Sequence, residues 1–127
     1  MDLGIIVVSY NTRQLTLECL ASVYRELEDS HLDGRLWMLD NASSDGSAAA
    51  IGQTYPQAIV IAGTENLGFA RAVNRSLELV ESLVAPPPFV LLLNPDTVVN
   101  SGAFCEMLTY LQAVSYTHLT LPTIYSV

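Results

Sequence analysis

Four apolar runs alternate with amphipathic stretches along this chain. The runs are Gly4-Ile5-Ile6-Val7-Val8-Ser9, Leu36-Trp37-Met38-Leu39, Ala58-Ile59-Val60-Ile61 and Phe89-Val90-Leu91-Leu92-Leu93. The third follows a Tyr55-Pro56 helix stop and the fourth a Pro86-Pro87-Pro88 breaker. Runs that are apolar at successive positions, with no polar face, predict central strands of a parallel sheet covered by helices on both sides. Between them lie helical patterns. Leu17, Leu20, Val23, Tyr24 and Leu27 form a stripe reaching about Glu28, opened by Asn11 and Gln14 as a capping box. Ser43 or Ser44 caps a second helix, with Asp45 in its first turn. Ala70, Val73, Leu77, Val80 and Val84 give the stripe of a third helix, from Phe69 to about Leu83. Asn100 caps a fourth, from about Ser101 to Ala113. This order predicts an α/β fold, a doubly wound and mostly parallel sheet with helices on both faces.

The strands end in polar clusters, and those carry the candidate chemistry. The fourth stops at Asn94-Pro95-Asp96, because proline cannot continue a central strand. Asp96 then stands at the carboxyl edge of the sheet, where open α/β folds bind ligands. A carboxylate there, beside the Asn94 carboxamide, can hold a divalent metal through oxygen and recruit substrate phosphates to it. The structural alternative is that Asp96 caps the turn. Ser9-Tyr10-Asn11 and Asp40-Asn41 end the first two strands, and a parallel sheet brings them to the edge occupied by Asp96. Ser43, Ser44 and Asp45 have structural roles as caps, which leaves Asp40 without one. Asn74 falls within the third helical stripe, where a carboxamide needs a loop backbone or a ligand as its partner.

Composition narrows the ligand. The 127 residues suffice for one domain with a real core, half are apolar, and only 14% are charged. A formal charge of −8 argues against nucleic acid as a partner. There is no lysine, and the five cationic side chains are Arg13, Arg25, Arg35, Arg71 and Arg75. Neither a G-x-G-x-x-G nor a G-x-x-x-x-G-K-[ST] is present, so the common phosphate cradles are absent. A metal is then the natural means of neutralising a diphosphate. Cys19 and Cys105 have no metal-ligand spacing and read as buried thiols in a reducing compartment. His31 falls in a polar loop and reads as solvated. The amino terminus lacks a signal-peptide pattern and no window reaches membrane-spanning length, which points to a cytoplasmic location.

Four segments together carry a family resemblance. They are Val7-Val8-Ser9-Tyr10-Asn11, Leu39-Asp40-Asn41-Ala42-Ser43-Ser44-Asp45-Gly46-Ser47, Asn66-Leu67-Gly68-Phe69-Ala70-Arg71-Ala72-Val73-Asn74 and Leu92-Leu93-Asn94-Pro95-Asp96-Thr97. In that order, over about Leu3 to Ala113, they resemble the nucleotide-binding half of an inverting family 2 glycosyltransferase with the GT-A fold. Asn-Pro-Asp in the metal position and Gly-Phe-Ala before a helix resemble the rhamnosyltransferase-like subgroup. The resemblance implies a nucleotide-sugar donor such as dTDP-rhamnose and a glycan or lipid-linked acceptor. It implies that Ser9, Tyr10, Asn11, Asp40 and Asn74 bind the nucleotide. Asp96 and Asn94 would hold Mg2+ or Mn2+ on the diphosphate. Asn94 replaces the first acid that many relatives carry in an Asp-x-Asp motif. Val73 stands where many carry an arginine, and Arg71 does not take over its role. The family's catalytic base lies beyond the metal motif, so no residue here is assigned it, and the chain reads as a truncated part of a domain, inactive alone. The full-length protein would work in the cytoplasm or at the inner face of the membrane, through peripheral contact without a transmembrane segment.

Residues 114–127 fit nothing in that pattern. Val114-Ser115-Tyr116-Thr117-His118-Leu119-Thr120-Leu121-Pro122-Thr123 resembles the translation of a transposon-based sequencing adaptor. The expected native stretch is therefore residues 1–113, with an irregular, weakly packed, non-native tail. Two other α/β readings fit less well. A receiver-like or small ligand-binding module needs acids after the first strand and a later lysine, and a nucleotidyltransferase needs a glycine-rich loop there.

Overall fold

The structure, a computed structural model, describes residues 1–118 and 123–126. Its strands are β1 (Leu3–Ser9), β2 (Gly34–Asp40), β3 (Ile59–Ala62), β4 (Phe89–Leu93) and β5 (Thr123–Ser126). Its helices are α1 (Arg13–Ser30), α2 (Ser47–Thr54), α3 (Phe69–Glu81) and α4 (Ala103–His118). All strand pairs are parallel and the sheet order is β3-β2-β1-β4-β5. The α/β expectation holds in order and in topology.

Alternation along the strands splits the core into two layers. Leu3, Ile5 and Val7 of β1 face α1, α2 and α4 with Leu36, Met38, Leu91 and Leu93. Ile6 faces the other way, with Trp37, Val80 and Val90, under α3. Both faces are therefore apolar, which is why β1 and β4 read as unbroken hydrophobic runs.

Three local expectations change. The buried face of α3 is Ala72, Val73, Ser76 and Val80. Ala70 and Asn74 are exposed, and Val84 lies outside the helix. Rotating the helix puts small residues against the sheet, and Ser76 tolerates burial because its hydroxyl donates to the Ala72 carbonyl at 2.9 Å. The Asn11–Gln14 capping box does not form; Thr12 occupies the N-cap position without a side-chain cap bond. The tail also departs from irregularity. The last helix runs on to His118, and Thr123–Ser126 pairs with β4. Thr and Ser cost a helix only a few tenths of a kcal/mol per residue, and Thr-Ile-Tyr suits an unpaired strand edge. Residues 119–122 and 127 lie outside the described residues.

Candidate functional site

The strand order contains a reversal that locates the site. From β1 the chain winds outward through β2 to β3, then returns to place β4 on the opposite side of β1. A doubly wound sheet opens a crevice at such a switch point, beyond the carboxyl ends of the strands. Here the switch point falls between β1 and β4. Tyr10, half exposed, follows one; Asn94 and Asp96, both exposed, follow the other. β2 lies next to β1 in register, Ser9 opposite Asp40, so Asp40 ends at the same edge.

Asp96 sits in a tight turn. The Thr97 amide donates to the Asn94 carbonyl at 3.0 Å, so Pro95 and Asp96 are the two central residues of a β-turn. Proline suits the first of those positions because its φ is already fixed near the required value. Asp96 is exposed, and its charge reaches α1. Burial, and then the Asp96 charge, push the Cys19 thiol up to about 11.

The residues expected to bind nucleotide have more internal work than anticipated. Ser9 is fully buried, its hydroxyl bonded to those of Thr12 and Thr16 at 3.0 and 3.1 Å. Asn11 adopts a positive φ of 51°. Its amide donates to Ser43 Oγ at 2.8 Å, and its Oδ1 accepts from the Ser44 amide at 2.8 Å. Asn11 thus ties the β1–α1 loop to the β2–α2 loop. Asp40 is only 3% exposed. Its two oxygens accept from the Ser43 amide and hydroxyl, at 2.9 and 2.6 Å. That is a structural role the sequence did not disclose, though a carboxylate retains further lone pairs. Asn74 is exposed on the outer flank of α3 and its side chain makes no hydrogen bond among the described residues, so the anticipated loop backbone is not its partner there.

Two residues prove more important to the edge than the sequence suggested. Asp45 caps two helices at once. Its Oδ2 accepts from the Arg13 amide at 3.0 Å and its Oδ1 from the Ser47 amide at 3.0 Å, with the Ser47 hydroxyl also donating. The Ser47 hydroxyl is the leading reason the Asp45 carboxyl is held below its usual value. Asn41, 3% exposed, clamps the loop before α3. Its Oδ1 accepts from the Leu67 amide at 3.1 Å and its Nδ2 donates to the Gly68 carbonyl at 3.3 Å. Gly68 carries a φ of 79° and ψ of 171°, a region essentially reserved for glycine. Gly63 approaches so closely that an added Cβ would lie 2.7 Å from the Asp40 carbonyl oxygen. The only sequence signal for Asn41 was its place directly after a strand end. Beside this loop lies a cavity of about 260 Å3, lined by Leu39, Ile61, Thr64, Glu65, Leu67 and Arg75 among others.

Among the described residues no three His, Cys, Asp or Glu side chains are grouped closely enough to surround a metal ion. A Mg2+ ion can be held by few protein carboxylates, its shell completed by phosphate oxygens and water. The exposed Asp96 and Asn94 supply hard oxygen donors of the right kind.

The family model for Glycosyl transferase family 2 matches residues 4–125. No curated protein matches the chain. Among solved structures, S. aureus TarS superimposes with a TM-score of 0.72 at 19% identity, over 89% of this chain and 33% of that one. A complex of the same protein with UDP-GlcNAc gives 0.71 at 18% identity, covering 89% and 32%. The mannosyltransferase PcManGT of Pyrobaculum calidifontis, in complex with GDP-Man and Mn2+, gives 0.64 at 26% identity, covering 79% and 29%. This chain thus spans about a third or less of each. The sheet corresponds to part of the GT-A fold, and the chain belongs to glycosyl transferase family 2.

Proposed function

We propose that this chain is the nucleotide-sugar-binding part of an inverting glycosyltransferase. The observation that carries the reading is the strand-order reversal between β1 and β4, whose carboxyl ends lead into Tyr10 and Asp96, in a chain of this family. Tyr10 offers an exposed ring for stacking on the base. Asp40 accepts from the nucleoside with the lone pairs that Ser43 leaves free, and Asn74 supplies an exposed carboxamide. Asn94 and Asp96 would hold Mg2+ or Mn2+, which when bound would supply positive charge against the diphosphate as it leaves. In an inverting transfer a carboxylate deprotonates the acceptor hydroxyl. No described residue is given that role; it belongs to sequence beyond the metal turn. The neighbours' complexes with GDP-Man, Mn2+ and UDP-GlcNAc support a nucleotide-sugar donor and a divalent cation.

The subgroup reading rests on Asn94-Pro95-Asp96 and Gly68-Phe69-Ala70, and makes dTDP-rhamnose the first donor to test. The acceptor is a glycan or lipid-linked sugar. No described helix is long and apolar enough to cross a membrane, and we place the protein in the cytoplasm or peripherally at the inner membrane face. Residues 1–113 are proposed as the native part and 114–127 as adaptor-encoded; the source nucleotide sequence decides this, since codons unlike the adaptor remove the idea.

Titration calorimetry with dTDP, UDP and GDP tests the site. Asp96→Asn should weaken binding only when Mg2+ or Mn2+ is present, because charge is lost while shape is kept. Asp40→Ala should weaken binding with or without metal, by about 1.5–3 kcal/mol, roughly ten- to a hundredfold. Metal-independent binding unaffected by Asp96→Asn would sink the metal assignment, and turnover by this chain alone would overturn its reading as a part.

A further inference from the structure

One flank of α1 holds both ends of the turn that carries Asp96. Ser22 is buried, 3% exposed, on the third helical turn. Its hydroxyl donates to the Cys19 carbonyl at 2.7 Å, which commits the proton and presents the oxygen lone pairs outward. The Val99 amide, also buried, donates to that oxygen at 2.9 Å across 77 residues of sequence. Arg25 reaches the Val99 carbonyl at 3.4 Å. At the other end, the Cys19 thiol points to the Asn94 carbonyl at 3.8 Å. Cys19, Ser22 and Arg25 recur at three-residue spacing, so they lie along one side of the helix. They meet the Asn94–Val99 segment at its first and last residues, with Asp96 exposed between. The exposed part of the segment carries its own turn bond, but that bond does not fix where the turn sits over the sheet. Pairing of Leu93 with Val7 fixes its near end, and the contacts with α1 hold its far end.

We infer that Ser22 and Arg25 are positioning residues for the cation site, acting through Val99 to fix the turn that presents Asn94 and Asp96. The inference rests on the metal reading above. α1 is thereby more than a cover for the sheet: it begins beside Tyr10, and its third turn holds the segment that follows β4. A cation held by few protein oxygens is sensitive to their placement, since it cannot compensate through other protein ligands. Groups that orient metal ligands from behind commonly change metal affinity by roughly ten- to a hundredfold when removed.

The test is the Mn2+ midpoint of the chain in the presence of saturating dTDP, read by loss of the free Mn2+ resonance, beside dTDP affinity without metal and the urea midpoint. Ser22→Ala should raise the Mn2+ midpoint about tenfold while metal-free dTDP affinity stays within about twofold. Arg25→Met keeps the aliphatic stem of an exposed side chain and should raise it about two- to threefold. If Ser22→Ala does not fold, Arg25→Met decides. The inference is overturned if the folded variants leave the Mn2+ midpoint unchanged, or lose metal-free dTDP affinity in proportion. Asp96→Asn separates the two failures. If it raises the midpoint and the α1 variants do not, only the positioning role falls; if it has no effect, the metal reading falls and this inference with it.

Discussion

Replacing Asn41, directly after β2, should loosen the loop before α3. Its carboxamide ties the end of β2 to the loop before α3, and both of its polar atoms are used. Asn41→Ala removes an acceptor from the Leu67 amide at 3.1 Å and a donor from the Gly68 carbonyl at 3.3 Å. A net hydrogen bond is worth about 1 kcal/mol, and the second is long, so the pair is worth about 1.5–2 kcal/mol. Some of that is regained if water reaches the loop. With a urea slope of about 1.5 kcal/mol/M for a chain this size, the unfolding midpoint should fall by about 1 M. Asn41→Asp is a sharper probe because it keeps the acceptor and loses the donor. It also sets a carboxylate against the Gly68 carbonyl, so its deficit should shrink in acid, when the carboxyl is protonated and can donate again. Urea unfolding followed by far-UV circular dichroism at neutral and acid pH measures both variants. A midpoint shift below about 0.3 M for Asn41→Ala would refute the clamp.

Asp45 makes a pH prediction of definite sign. Its folded-state pKa lies below the ordinary 3.8, chiefly through the Ser47 hydroxyl. The stabilisation it gives is therefore present above 3.8 and is lost as pH falls through the lower, folded-state value. Wild type should exceed Asp45→Asn in urea midpoint near neutrality, with the gap closing in acid; a gap that widened below 3.8 would reverse the assignment. The thiols should separate by exposure. Ellman's reagent should label exposed Cys105 promptly and buried Cys19 only on unfolding, since Cys19 is covered and its pKa is near 11. Equal labelling rates in the native protein would contradict the packing of α1 on the sheet.

How much of this was legible in sequence depended on the range of the physics involved. Strand and helix order, the parallel sheet and the edge shared by Tyr10, Asp40 and Asp96 came from periodicity and from proline placement. Those signals are local, and right-handed crossover connections leave few ways to assemble them. The Asn94-Pro95-Asp96 turn was equally plain, because proline cannot stay in a central strand. Tertiary structure decided which polar residues are free to act. Asn11 looked like a cap and instead bonds Ser44, while the amide of Arg13 is capped by Asp45, 32 residues away. Asp40 looked unemployed until Ser43 was seen folded back on it. Asn74 looked buried because the hydrophobic stripe runs through Ala70, Val73, Leu77 and Val80; the buried face keeps Val73 and Val80 but turns toward Ala72 and Ser76, which are small and moderately polar, so hydrophobicity alone could not reveal that they face the sheet. The bond from Val99 to Ser22 spans 77 residues and has no periodicity at all. A hydrogen bond is set by distance and direction in space, and only the folded chain brings such partners together.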